Sequence, residues 1–466
     1  MVSVPFRSLG FVVLALRASF GCATLMFAAA CGGGASCPSG TFEMGGRCGP
    51  LGGDASDEVD AGDSGTDGET MGGCSGFISD GGVCCVAEAC DGIDNDCDGV
   101  VDDGVLGFGE ARAFGTSTTT LLAVVPVDDN KHVVLLEQQP TPGKYSIYVT
   151  EVDAEGVRVV DSTTSAGSSN VGSPAKRAIG FKYGEYVVFG FWRSGLDARF
   201  FAYDPVTRTS FPGSEDGLSA LLSPTSDPAK LRVLGSKGCP GGQLQSYLLA
   251  FPDLSNQAGE LTDIPGTLAD CPSFVSMTPQ SASVDATYFL NGANVARITS
   301  AAMLEMVALS PGTYTGKHLA REDATGNVGY LYSVTAAAQT KTRFDLRRDD
   351  LAAIGSLDLT PATSSLDDGF AMSSSALDDG TWLVARPVED SSGAATKLRF
   401  VVERFAVEDD ALVEVNTNFG PCDDVLCPEK AAGAPLRTHV VETGGEVLVG
   451  VSQAKGGATF IPYGCH

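Results

Sequence analysis

Histidine and tryptophan are nearly missing from this 466-residue chain, which has four of the first and two of the second. Four histidines (His132, His318, His439 and the terminal His466) leave little from which to build a His-based catalytic or metal triad. No G-x-S-x-G elbow, H-E-x-x-H pair or phosphate-cradling loop occurs. Ser173 and Lys176 match S-x-x-K, but the partner motifs of that chemistry are missing, so chance is the better explanation. Positive charge is short as well: 30 Lys and Arg face 58 Asp and Glu, and a formal charge of -28 excludes attraction to nucleic acid. Beyond the first 30 residues no stretch approaches the 18 apolar residues of a membrane span. The sequence therefore declares no activity, and an enzyme is the less favoured expectation.

Cysteine, by contrast, is plentiful. Fourteen of them argue for an oxidising compartment, and with so few histidines nearby their local spacings favour disulfides over zinc. Residues 1–30 carry Arg7 and Arg17, no acid, and an apolar run ending Ala28-Ala29-Ala30 before Cys31. This is the pattern of a secretory signal. The small-small-small-Cys ending resembles the bacterial lipoprotein signal, in which the cysteine is acylated. That resemblance implies lipid attachment at Cys31 and, with Gly32 following, an outer-membrane or cell-surface address. Departures are Ala28 where Leu is commoner and Arg17 inside the apolar region. A secreted or periplasmic protein is the alternative.

Residues 31–104 hold 16 acids against Arg47 alone and 20 glycines, a composition that cannot bury enough apolar surface to offset chain entropy. An acidic, disordered Cys-rich tether is expected over 31–87. Two segments in it look alike, Cys37 to Cys48 and Cys74 to Cys84. Each has a Phe near its start and a Gly-Gly turn near its end, as in a disulfide-closed hairpin. The acid run of 49–73 reads as a solvated spacer.

The sharpest pattern lies at 88–104. Asp94, Asp96 and Asp98 alternate, Gly99 permits a sharp turn, Val100 can offer its carbonyl, and Asp102 completes the set. Alternate carboxylates converge when a chain curls, and hard oxygen donors favour Ca2+. Position 12 is Val105 rather than the bidentate Glu, so the expected affinity is weak, on the order of 10⁻⁴–10⁻³ M. A Cys90–Cys97 bridge would contribute roughly 2–3 kcal/mol to the loop. The string from Cys90 to Asp103 resembles the MopE-type metal-binding repeat of bacterial surface proteins, in one copy covering about 88–104. That family is linked to copper, but Asp oxygens are poor copper ligands and these residues do not support it.

From about residue 105 the texture becomes mainly β: short apolar strands with turn residues between them. A three-strand unit recurs at 186–192, 198–203 and 207–211, at 328–334, 341–346 and 353–359, and at 382–385, 397–405 and 412–415. The stretches 132–136, 145–152 and 157–162 fit as well, and weaker units start near Ser246, Thr287 and Val447. Units averaging about 52 residues predict a β-propeller of six to seven blades over 105–466, with tandem β-sandwiches as the alternative. Cys239–Cys271 and Cys422–Cys427 are local pairs. Parity then leaves Cys85 and Cys465, whose bridge would join the two ends of a ring. Paired acids in turns (367–368, 378–379, 409–410) are turn formers first, though two carboxylates could serve a glycosidase. The sequence thus points to a surface lipoprotein with a calcium loop and a β-rich domain displayed to an unknown extracellular or envelope partner. A secreted hydrolase and a structural envelope component are the alternatives.

Overall fold

β-Branched and aromatic runs, cut at short intervals by Gly, Pro, Asp and Asn, dictate hairpins, and every element found is a strand. In the computed structural model the described residues are 41–44, 47–50, 77–78, 84–85 and most of 106–465. The chief stretches of that last range outside them are 166–173, 193–197, 238–242, 255–261, 268–275, 279–285, 362–371, 392–395 and 429–435. Two units separate, Met1–Glu69 and Thr70–His466. In the first, β1 (Thr41–Met44) and β2 (Arg47–Pro50) pair antiparallel on either side of Gly45-Gly46. In the second, β3 (Phe77–Ile78) pairs with β4 (Cys84–Cys85). These are backbone pairings within the two expected hairpins, and the disulfides expected to close them lie outside the described residues.

From Leu106 onward the described residues of the second unit form a seven-bladed β-propeller. Blade one is β7 (Thr119–Asp128), β8 (Lys131–Thr141), β9 (Lys144–Asp153) and β10 (Thr164–Ser165). Blade two is β11 (Arg177–Tyr183), β12 (Tyr186–Trp192), β13 (Ala198–Asp204) and β14 (Thr209–Asp216). Blade three is β15 (Ser219–Ser223), β16 (Lys230–Lys237), β17 (Gln243–Ala250) and β18 (Thr262–Thr267). Blade four is β20 (Ala286–Asn291), β21 (Asn294–Thr299) and β22 (Leu304–Ala308). Its preceding strand β19 (Ser276–Thr278) leaves it to lie parallel to β23 (Thr313–Arg321). Blade five continues with β24 (Val328–Ala336), β25 (Gln339–Arg347) and β26 (Ala353–Leu359). Blade six is β27 (Ser373–Ala376), β28 (Trp382–Asp390), β29 (Lys397–Glu408) and β30 (Ala411–Phe419). Blade seven is β31 (Leu436–Thr443), β32 (Glu446–Gln453) and β33 (Gly457–Cys465), and its outer strand comes from the other end of the domain.

That outer strand is β5 (Leu106–Phe108), with Phe108 opposite Tyr463 and Leu106 opposite Cys465. β6 (Arg112–Phe114) pairs further along β33. The ring is thus closed by backbone pairing between the first and last strands of the domain. A Cys85–Cys465 bridge concerns side chains outside those described.

Each blade is covered on both faces, so its middle strands are buried over much of their length, and successive residues serve opposite seams. In β8, Val133 and Leu135 pack toward blade two, while Val134 and Leu136 pack toward blade seven. In β12, Val187, Phe189 and Phe191 face blade one and Val188 faces blade three. Leu331 and Phe344 meet Trp382 and Val384 between blades five and six, and Leu383 and Phe400 meet Val449 and Ile461 between six and seven. Phe108 joins that last seam, its ring 5.3 Å from Phe400 and 5.0 Å from Tyr463. At about 1.5–3 kcal/mol per buried large side chain, these seams are the chief source of stability.

The Cys422–Cys427 disulfide forms. The signal, Cys31, the metal loop with Asp94, Asp96, Asp98, Val100 and Asp102, and the side chains of the remaining cysteines lie outside the described residues.

Candidate functional site at the propeller axis

Innermost strands have one edge with no further strand to pair with, and their backbone groups must find other partners. Around half of this axis, side chains from one blade supply them to the next. His318 of β23 accepts the backbone N–H of Ser374 through Nδ1 at 3.0 Å, and the Ser374 hydroxyl lies 3.1 Å from the same nitrogen. Ser373 Oγ accepts the N–H of Val440 in β31 at 2.8 Å, and Thr438 donates to the carbonyl of Ala385 at 2.8 Å. His439, one residue from Val440, hydrogen-bonds the backbone of Leu121 in β7. Blades five, six, seven and one are linked in series. This explains Ser373-Ser374-Ser375, a buried polar run in a strand that would otherwise read as a loop.

The electrostatics of the cluster follow from its burial. Desolvation drives His318 down to about 3, and the nearby His439 adds to the fall. Burial brings His439 to about 4, with the Arg437 cation pushing the same way and the Leu121 hydrogen bond opposing. Both rings are neutral at ordinary pH. Because Nδ1 of His318 accepts an N–H, its proton sits on Nε2 and makes that atom a donor. Nε2 of His439 is buried with no hydrogen-bond partner. Bases this weak suit binding or bracing rather than proton transfer near neutrality. Among the described residues no three His, Cys, Asp or Glu side chains are grouped to hold a metal.

A second polar group stands where β27 turns into β28, next to the end of β31. Asp379 accepts the Thr381 N–H at 2.8 Å and its hydroxyl at 2.7 Å, and pairs with Arg404. Burial pushes Asp379 up, but Thr381 and Arg404 outweigh it and hold the carboxyl below its usual range. Glu442 accepts the Asp378 N–H at 2.7 Å. Burial raises it to about 7, the Asp378 N–H opposing and the Asp378 and Asp379 charges adding to the rise. Of the three acid pairs in turns, only 378–379 is described. Residues 367–368 and 409–410 lie outside, as do Ser173 and Lys176. The axial histidines carry no local sequence signal, since only the ring topology brings His318 and His439 together.

No family model matches the chain, and no curated protein matches it in sequence. Among solved structures, the Mitotic Checkpoint Complex is similar at TM-score 0.45 and 10% identity, covering 77% of this chain and 91% of that one. An oligogalacturonate lyase in complex with manganese is similar at TM-score 0.43 and 12% identity, covering 78% and 96%. The WD40 domain of SCAP from fission yeast is similar at TM-score 0.38 and 10% identity, covering 77% and 95%. Likenesses this faint carry no statement about activity.

Proposed function

We propose that this chain is a lipid-anchored surface protein whose Asp-rich loop binds Ca2+ beside a seven-bladed propeller that serves as a binding domain. The observation that carries the metal half is the set Asp94, Asp96, Asp98 and Asp102 around Gly99, a density of carboxylate tolerable only beside a hard cation. The anchor rests on Ala28-Ala29-Ala30-Cys31. A binding role for the propeller is supported by axial polar groups that are braced and neutral rather than poised for proton transfer. Calcium titration of the whole protein, followed by protease resistance of 31–105, tests the loop. Resistance should rise at millimolar calcium and fail to rise in Asp94→Ala and Asp96→Ala, and indifference to both ion and substitution discards the assignment. Incorporation of labelled acyl chains into wild type but not Cys31→Ala tests the anchor.

The alternative of a glycosidase-like hydrolase draws on the split between Glu442, raised to about 7, and Asp379, held low. It predicts release of reducing ends from polysaccharides by wild type and none by Glu442→Gln. Asp379 already serves its turn and Arg404, which makes this the lesser reading.

A further inference from the structure

Blade six carries a cleft where its outer strands meet the end of blade five. It is an open cleft of about 380 Å³ lined by Pro361, Val388, Glu389, Asp390, Ser391, Arg399 and Phe419. That volume falls within the roughly 300–1,000 Å³ of small-molecule sites. One of its lining residues, Pro361, is held by a buried ion pair. Arg386 donates through Nε and Nη2 to the two carboxylate oxygens of Glu403 at 2.7 and 2.6 Å, and through Nη1 to the carbonyl of Pro361. Both partners are buried.

One wall is Phe419, 45% exposed, the one phenylalanine left exposed among the described residues. Its ring is held in place. The Arg399 guanidinium sits 5.0 Å from the ring centroid and donates through Nε to the Gly420 carbonyl at 2.9 Å. Gly420 itself is pressed so closely on Phe400 that an added Cβ would lie 2.1 Å from that ring. Cys422–Cys427 then ties down the following turn. A fixed aromatic plate gives up little further freedom when something stacks on it.

We infer that this cleft binds a neutral pyranose unit of a glycan. A flat apolar plate bordered by both acceptors (Glu389, Asp390) and a donor (Arg399) matches a ring with an apolar C–H face and hydroxyls around its edge. Hydroxyls both donate and accept, so carboxylates and guanidinium are used together. Carboxylates and a guanidinium line the cleft together, so its lining is not of one charge sign. The inference rests on the binding-domain reading but not on the calcium loop or the lipid anchor.

Saturation-transfer NMR on the whole protein with the methyl glycosides of glucose, galactose and mannose, and with tetramethylammonium as the cationic probe, tests it. At least one hexoside should receive saturation at its ring C–H protons. Phe419→Ala should weaken that binding by about tenfold and Asp390→Asn by a few-fold, while Val206→Ala, at another exposed site, leaves it unchanged. Silence from all three hexosides, binding as tight in Phe419→Ala as in wild type, or binding of tetramethylammonium alone would each overturn the assignment. Because acyl labelling and calcium titration do not involve this cleft, either reading can fail without the other.

Discussion

Single residues report how tightly the seams are set. Gly156 has φ +79°, and an added Cβ would lie 2.4 Å from the Phe460 Cβ of blade seven. Gly143 has φ +75° with nothing within 4 Å. Gly156→Ala therefore combines left-handed strain with overpacking and should cost about 2–4 kcal/mol, whereas Gly143→Ala should cost only about 1 kcal/mol. Urea midpoints of the two variants check this, and equal losses would refute the close approach. Titratable residues make a second prediction. His132, His318 and His439 fall from 6.5 to about 4, 3 and 4 on folding, each chiefly by burial. As pH drops below 6.5 the unfolded chain takes up protons first. Stability is therefore full above 6.5 and is lost progressively toward pH 3–4, by about 1.4 kcal/mol for each tenfold difference in proton affinity between the folded and unfolded chain. Glu442 runs the other way, from 4.5 unfolded up to about 7 folded. Its contribution is present below 4.5 and is lost as pH rises through 7. Denaturation across pH 3–9 should show the His318→Gln and His439→Gln double variant with a flatter acid limb. Glu442→Gln should gain stability at pH 8 but not at pH 4.

At the scale of strands, the closing element is the most exposed to challenge. β5 is three residues long, yet Asn418 Nδ2 donates to the Leu106 carbonyl at 3.1 Å and Phe108 fills the seam beside Phe400. Phe108→Ala should cost about 2–4 kcal/mol, and a chain begun at residue 116, lacking β5 and β6, should lose far more stability than one begun at 105. Thermal midpoints that failed to distinguish the two chains would show that ring closure lies elsewhere. The second strands of the blades are the legible ones. The unit starts at 132, 186, 287, 328, 382 and 447 in the sequence pattern fall within one residue of β8, β12, β20, β24, β28 and β32, because strands covered on both faces are continuously apolar. The start at Ser246 falls instead within β17, since β16 mixes Lys230, Arg232 and Lys237 into its apolar run. The stretch 157–162 reads as a strand; its described part, 157–159, holds the Val152–Arg158 bridge, and the next strand begins at Thr164. Inner strands such as β27 and β19 escape notice because the axis selects polar residues. β5 escapes because nothing local distinguishes a closing strand from a linker. The axial histidines and the blade-six cleft depend on pairing across more than a hundred residues or across three strands, which no local pattern records.

For the molecule as a whole, the sharing of each strand between two seams argues against blade-by-blade unfolding. Leu231 and Leu222 of blade three pack with Val188 of blade two, while Leu234 packs with blade four. Leu448 of blade seven packs with Leu121 of blade one, and its neighbour Val449 packs with Phe400 of blade six. Removing one blade thus uncovers the inner faces of both neighbours, and the apolar area lost far exceeds what a small domain holds in reserve. Unfolding of the propeller should therefore be a single transition, with near- and far-ultraviolet circular dichroism coincident. Val188→Ala opens the seam between blades two and three, and Leu448→Ala the seam between seven and one. Both should lower that same transition, Leu448→Ala by about 2–5 kcal/mol, without creating a second. Two resolved steps, one displaced by each substitution, would mean that the seams act independently and that the ring is not the unit of stability.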